Sequence, residues 1–279
     1  MNENIKKTED DEDRITFRDV YDTFKLWFKM LNPNTKIPTN REFGREIKDH
    51  ANLRVNVVGK TKKYTTLNHV DNSILKKINL LAKWLIAIPT VMNGTGATSY
   101  LHADFGEGDH GLFRINLLQY ADIGHHEKST LSEFGIFSVS ISQVNPKSLG
   151  CIDLNEKNVK KIIKPNYLNN VEDKKLFKNS LKLVVEILLE MIRKMPELSI
   201  NELELIKNNP DEYLRQNIFS GHHFIGGLHK YVGHDFKFEG VPNLYVCDAS
   251  ILENFPSSNI HAVVQLLAKF LADNLNNDV

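Results

Sequence analysis

Eleven histidines are spread through this chain, and one of them sits where an imidazole could do chemistry. His222-His223-Phe224-Ile225-Gly226-Gly227 places a histidine pair before two glycines, a turn that can hold a ring at a surface. Pro256-Ser257-Ser258-Asn259-Ile260 forms a second polar turn, just ahead of an apolar helical stretch. Imidazole titrates near neutrality, so His223 could take a proton from a hydroxyl or donate a hydrogen bond. Asn259 could orient an oxygen. A histidine taken alone more often has a purely structural place, and His222, His229, His261 and the pair His125-His126 are read that way. Metal chemistry is not expected: there is no His-x-x-x-His on a helix and no histidine-carboxylate cluster with ligand spacing. Cys151 and Cys247 are far apart, which argues against a disulfide framework or a cysteine-based zinc site. A serine-hydrolase Gly-x-Ser-x-Gly elbow is absent too.

The elements that must carry these turns are legible in outline. Asp173 to Met195 has the strongest helical period, with Leu176, Leu181, Val184 and Leu188 on one face. Phe113–Leu118 and Gly135–Ser142 read as strands, and Ile74–Ile88 as an amphipathic helix. Asn243–Cys247 reads as a short strand and Ile260–Leu275 as a closing helix. Strands and helices mix without regular alternation, which predicts an α+β fold.

The first quarter looks different. Residues 1–13 hold two lysines against six carboxylates, an expected disordered acidic tail. Residues 14–70 hold twelve Lys or Arg against five carboxylates, a surplus of seven in a chain whose net charge is zero. Phe17, Val20, Tyr21, Phe24, Phe28 and Leu31 recur at helical spacing. A second helix is expected after Thr39 or Asn40, with Phe43 and Ile47 on one face. Leu53–Val58 and Lys62–Leu67 then read as a hairpin around Gly59-Lys60. Two helices and a basic hairpin outline a winged helix. Phe17-Arg18-Asp19-Val20-Tyr21, Trp27-Phe28, Arg41-Glu42-Phe43 and Lys63-Tyr64-Thr65-Thr66-Leu67 resemble the small winged-helix module of poxvirus- and giant-virus-type primase-helicases. That resemblance implies a viral protein of the host cytoplasm or virion. It also implies weak contact with nucleic acid through Arg41, Arg45, Lys48, Lys60, Lys62 and Lys63.

Residues 71–279 carry a second resemblance. The His-x-x-Gly turn at His223 is followed by Val241-Pro242-Asn243-Leu244-Tyr245-Val246-Cys247-Asp248-Ala249-Ser250, then Pro256-Ser257-Ser258-Asn259 and a helix. Asn145-Pro146-Lys147-Ser148-Leu149-Gly150 and Ile152-Asp153-Leu154 precede them. This order resembles the C-terminal part of the glucose-methanol-choline (GMC) oxidoreductases, which oxidise an alcohol CH–OH group with flavin adenine dinucleotide (FAD). The resemblance implies a substrate-binding domain followed by the last fragment of the FAD domain. It implies His223 as catalytic base and Asn259 as its partner. Asp248, Ala249, Asn259 and Ile260 match positions that approach the cofactor, and the Ile260 amide opens a helix.

The family holds the FAD pyrophosphate on a Gly-x-Gly-x-x-Gly turn inside a βαβ unit. No such unit is read here: Gly94-Thr95-Gly96 lacks the third glycine and no βαβ pattern surrounds it. The expectation is therefore a truncated, inactive oxidoreductase that binds no FAD itself. The alternatives are a non-enzymatic DNA-binding or assembly protein, or half of a split enzyme completed by a separate polypeptide. The apolar run Ile78–Met92 is too short to span a bilayer, so no membrane partner and a reducing, cytosol-like compartment are expected.

Overall fold

The structure is a computed structural model that describes residues 44–59, 73–88, 90, 97–106, 108–121, 135–154, 161–239, 241, 244–256 and 259–277. Its centre is β1, Ala51–Gly59, whose side chains alternate between buried and half-buried. Ala51, Leu53, Val55 and Val57 point to the core, and Asn52, Arg54 and Asn56 to the other face. Strands β2 (Ala97–Asp104), β3 (Leu112–Leu118) and β4 (Gly135–Gln143) lie on one side of it in the order β2-β3-β4-β1. On the other side β1 pairs with β7 (Leu198–Ile200) and β8 (Phe219–Ser220). All these pairings are antiparallel. A separate ribbon joins β5 (Cys151–Leu154) to β6 (Lys161–Lys164).

One face of the sheet is sealed by α2, Val171–Lys194, reached after α1, Ile74–Leu85. The Asn170 side chain caps α2 by accepting from the Glu172 and Asp173 amides, while Arg193 and Lys194 close its C-terminal turn. Leu176, Phe177, Leu181, Val184 and Leu188 are buried against the sheet, and Phe177 meets Phe113 edge to face at 5.1 Å. Short helices α3 (Leu203–Asn208) and α4 (Pro210–Asn217) follow. From α4, Tyr213 donates its hydroxyl hydrogen to the Arg54 carbonyl at 2.8 Å. The last element is α5, His261–Asn277.

The α+β expectation holds, and three expectations are corrected. Leu53–Val58 is the middle of the central sheet strand rather than one arm of a basic hairpin, so residues 44–59 are not part of a separate module ending at 70. The partner arm, Lys62–Leu67, and the helix expected over 17–31 lie outside the described residues. The second helix does not extend over 44–50. Gly44 and Glu46 adopt left-handed angles, and Ile47 and Lys48 make isolated antiparallel bridges to Gly150 and Ile225. Long-range pairing has overridden local helical preference. Finally, the described part of the strand expected over 243–247 is not a sheet strand but holds one isolated bridge, Lys237 to Tyr245. The Phe238 amide donates to the Leu244 carbonyl at 2.8 Å and the Val246 amide to the Phe236 carbonyl at 2.9 Å, closing a local turn.

A Gly-x-Gly-x-x-Gly spacing does occur, at Gly106, Gly108 and Gly111. It turns the chain between antiparallel β2 and β3 through one 3-10 turn, and it carries Asp109. A pyrophosphate cradle needs a strand leading into a helix and no adjacent carboxylate. This turn supplies neither condition.

Candidate active site

Three separated stretches converge on His223. The segment before β1 runs between β5 and the His223 turn: the Ile152 amide donates to the Gly44 carbonyl, and Lys48 and Ile225 exchange both backbone bonds at 3.0 Å. This brings Asp49 and His50 beneath the His223 turn. Two glycines permit the approach. A side chain on Gly221 would lie 2.7 Å from the His50 carbonyl oxygen, and one on Gly226, whose φ is +83°, would lie 2.5 Å from the Glu46 carbonyl.

Asp49 is buried and works as a clasp. One carboxylate oxygen accepts the His223 backbone N–H at 2.9 Å. The other accepts the Tyr167 and Ser220 hydroxyl hydrogens, each at 2.6 Å. Burial raises the Tyr167 phenol well above its usual range, so it stays a donor.

His50 sets the protonation pattern of the site. Its Nε2 lies 2.8 Å from the Val144 carbonyl oxygen, which can only accept, so Nε2 carries the hydrogen. Burial pushes the His50 imidazole down to about 4, leaving Nδ1 a bare lone pair at neutral pH. That lone pair lies 2.9 Å from His223 Nδ1, which must therefore donate. His223 Nε2 is then the bare atom, 3.1 Å from Asn259 Nδ2. Asn259 is held in this orientation because its Oδ1 accepts the His261 amide at 2.9 Å. Phe255 stacks on the His50 ring at 3.9 Å, which fixes its plane. Burial also lowers the affinity of His223 for a proton; the Asp49 charge opposes this, and Arg114 and His222 reinforce it.

Beside this line of rings opens a cavity of about 550 Å³ lined by Ile47, Ile152, Phe224, Gly227, Asp248 and Ala249 among others. Its walls are mostly apolar and suit a flat ring system. Asp248, on the cavity wall, accepts the Ser250 amide through its carboxylate at 2.8 Å. Gly227, Asp248 and Ala249 form part of this cavity's wall. The described residues offer no counterpart for the pyrophosphate.

His223 and Asn259 lie 3.1 Å apart, and Asp248 and Ala249 line the cavity. The Ile260 carbonyl accepts from Val264 in the first turn of α5. The basic surface is not assembled among the described residues. Arg45 and Lys48 are not on a helix, Lys48 Nζ donates to Asn254 Oδ1 at 3.0 Å, and Arg41, Lys60, Lys62 and Lys63 lie outside the described set. Asp49, His50 and Tyr167 were missed. A buried-type Asp-His pair directly before an alternating strand was the available signal, hidden by the helical reading of 41–48. No group of three or more metal-ligating side chains occurs among the described residues.

Residues 146–268 match the family model of the GMC oxidoreductases. Solved structures share the fold. A formate oxidase variant from Aspergillus oryzae RIB40 is 15% identical, with a TM-score of 0.69, over 90% of this chain and 50% of its own. Pyridoxine 4-oxidase from Mesorbium loti is 16% identical, with a TM-score of 0.56, over 90% and 47%. An FAD-dependent oxidoreductase from Chaetomium thermophilum is 12% identical, with a TM-score of 0.64, over 90% and 51%. The chain therefore spans about half the length of these proteins. No curated protein matches it significantly. Residues 146–268, under half of the chain, thus resemble the C-terminal part of the GMC oxidoreductases, and the solved structures share the fold.

Proposed function

We propose that these residues supply the proton-accepting histidine and one wall of the ring site of a flavin-dependent oxidoreductase that acts on an alcohol CH–OH group. The observation that carries this reading is the bare Nε2 of His223, fixed by His50 on one side and met by the Asn259 amide on the other. An alcohol hydroxyl arriving there displaces the Asn259 N–H from the Nε2 lone pair, moving that amide onto the substrate oxygen, and gives its proton to Nε2 as the C–H bond breaks and the carbonyl forms. His223 becomes an imidazolium whose Nδ1–H bond to His50 is unchanged, so proton transfer needs no ring reorientation. Asp49 helps to stabilise the new charge. Asn259 Nδ2 steadies the substrate oxygen. FAD, when bound, supplies the hydride acceptor, held chiefly by a dinucleotide-binding unit other than the described residues.

On its own the chain is expected to hold no stoichiometric flavin and to oxidise no alcohol. Co-expression with the dinucleotide-binding half of a solved FAD-dependent oxidase tests both parts. The expected result is one flavin per complex and alcohol-dependent peroxide or dye reduction, falling roughly 10²–10⁴-fold in His223→Ala. A flavin-loaded complex indifferent to His223→Ala would contradict the base assignment. One flavin per isolated chain would contradict the cofactor assignment.

A further inference from the structure

Helix α1, between β1 and β2, has no buried residue. Ile74, Ile78, Leu81 and Leu85 line one stripe, with Leu75 beside it. Exposure is 78% at Ile74, 79% at Leu75 and 69% at Leu85, and Trp84 is 52% exposed near the C-terminal end. An apolar stripe of this size on one helix is an interaction surface rather than scattered surface leucines.

The charge around the stripe selects the partner. Lys76, Lys77 and Lys83 are the only charged residues of the helix, and no carboxylate occurs anywhere from Asn72 to Ala103. We propose that α1 lies flat on an anionic bilayer surface, its apolar stripe in the headgroup boundary and its lysines among the negative headgroups. Twelve residues make about 18 Å of helix, too short to cross roughly 30 Å of hydrocarbon. Accordingly, no described helix is long and apolar enough to cross a membrane. The sequence-based expectation of no membrane partner rested on spanning length, which a helix in the interface does not need. Trp84 and the flanking lysines are the residue types such a helix uses.

Other occupants fit the charge less well. A second copy would bring three lysines against three lysines. Residues 14–70 carry a surplus of seven positive charges, and the acidic residues 1–13 offer only Met1 and Ile5 to cover an apolar stripe.

The test is co-sedimentation of the whole chain with phosphatidylcholine vesicles made with and without phosphatidylglycerol. Binding is expected to the anionic vesicles and to weaken as salt rises. Each lysine contributes about fivefold, so Lys76→Gln, Lys77→Gln and Lys83→Gln together should lose roughly a hundredfold in partitioning. Ile78→Asp should abolish binding while leaving the thermal melt unchanged, since Ile78 is exposed. Equal binding to both vesicle types, binding unaffected by Ile78→Asp, or no sedimentation with either would overturn the proposal. So would a dimer in light scattering that Ile78→Asp dissolves without any vesicle binding.

Discussion

His50 is 7% exposed and has both ring nitrogens committed, one to the Val144 carbonyl and one to His223. Its folded-state proton affinity lies near 4, below the ordinary value of 6.5. The sign follows directly: an unfolded His50 binds a proton below about 6.5 whereas the folded one does not until about 4. Stability is therefore full above 6.5 and falls as pH drops through that window, by roughly 3 kcal/mol in all. Urea unfolding at pH 7 and 4.5 should show most of this loss in the wild type, and a smaller one in His50→Phe. That variant keeps an aromatic ring against Phe255, yet it frees His223 to take the other tautomer. In the flavin-loaded complex its turnover should fall at least tenfold at constant flavin content. Of these residues, His223 and Asn259 were readable in sequence because their turns have a fixed order along the chain. Asp49 and His50 act through partners more than a hundred and seventy residues away, and no local pattern reports such a distance.

At the scale of elements, periodicity found what it measures. Helix α2 shows the 3.6-residue repeat and β3 and β4 show alternation, so their positions came out close to the observed ones. Alternation also marked Leu53–Val58 as a strand, but it does not say which strands pair, and the nearest candidate arm was chosen over distant β4 and β7. The reverse error placed a strand at Asn243–Cys247, where Leu244 and Val246 instead close a turn on Phe236–Phe238. Asp173 shows how one residue binds elements together. Fully buried at the start of α2, it accepts from the Lys147 amide at 3.1 Å, the Ser148 amide at 2.6 Å and Gln143 Nε2 at 3.2 Å, and also from the Ser148 hydroxyl. It pins the Asn145–Ser148 turn to helix and sheet. Asp173→Ala leaves these donors unpaired and should cost about 3 kcal/mol or more in urea unfolding. Asp173→Asn keeps an acceptor oxygen and should cost less. Equal stability of all three proteins would show that the turn is held by other contacts.

The line from Val144 through His50 and His223 to Asn259 joins the end of β4, the entry to β1, the turn after β8 and the entry to α5. It exists only if the whole described chain is assembled, so it reports on the molecule and not on one motif. The fold is shared with proteins about twice this chain's length, and under the proposed function the proton-accepting tautomer of His223 is fixed by residues of this chain alone. Long-range ¹H–¹⁵N spectra of the histidine-labelled chain measure this most directly. At pH 7 His50 should be in its Nε2–H form and His223 in its Nδ1–H form, with His223 titrating below 6.5. Hydrogen on Nε2 of the neutral His223 ring at pH 7 would contradict the assignment of that nitrogen as the proton acceptor.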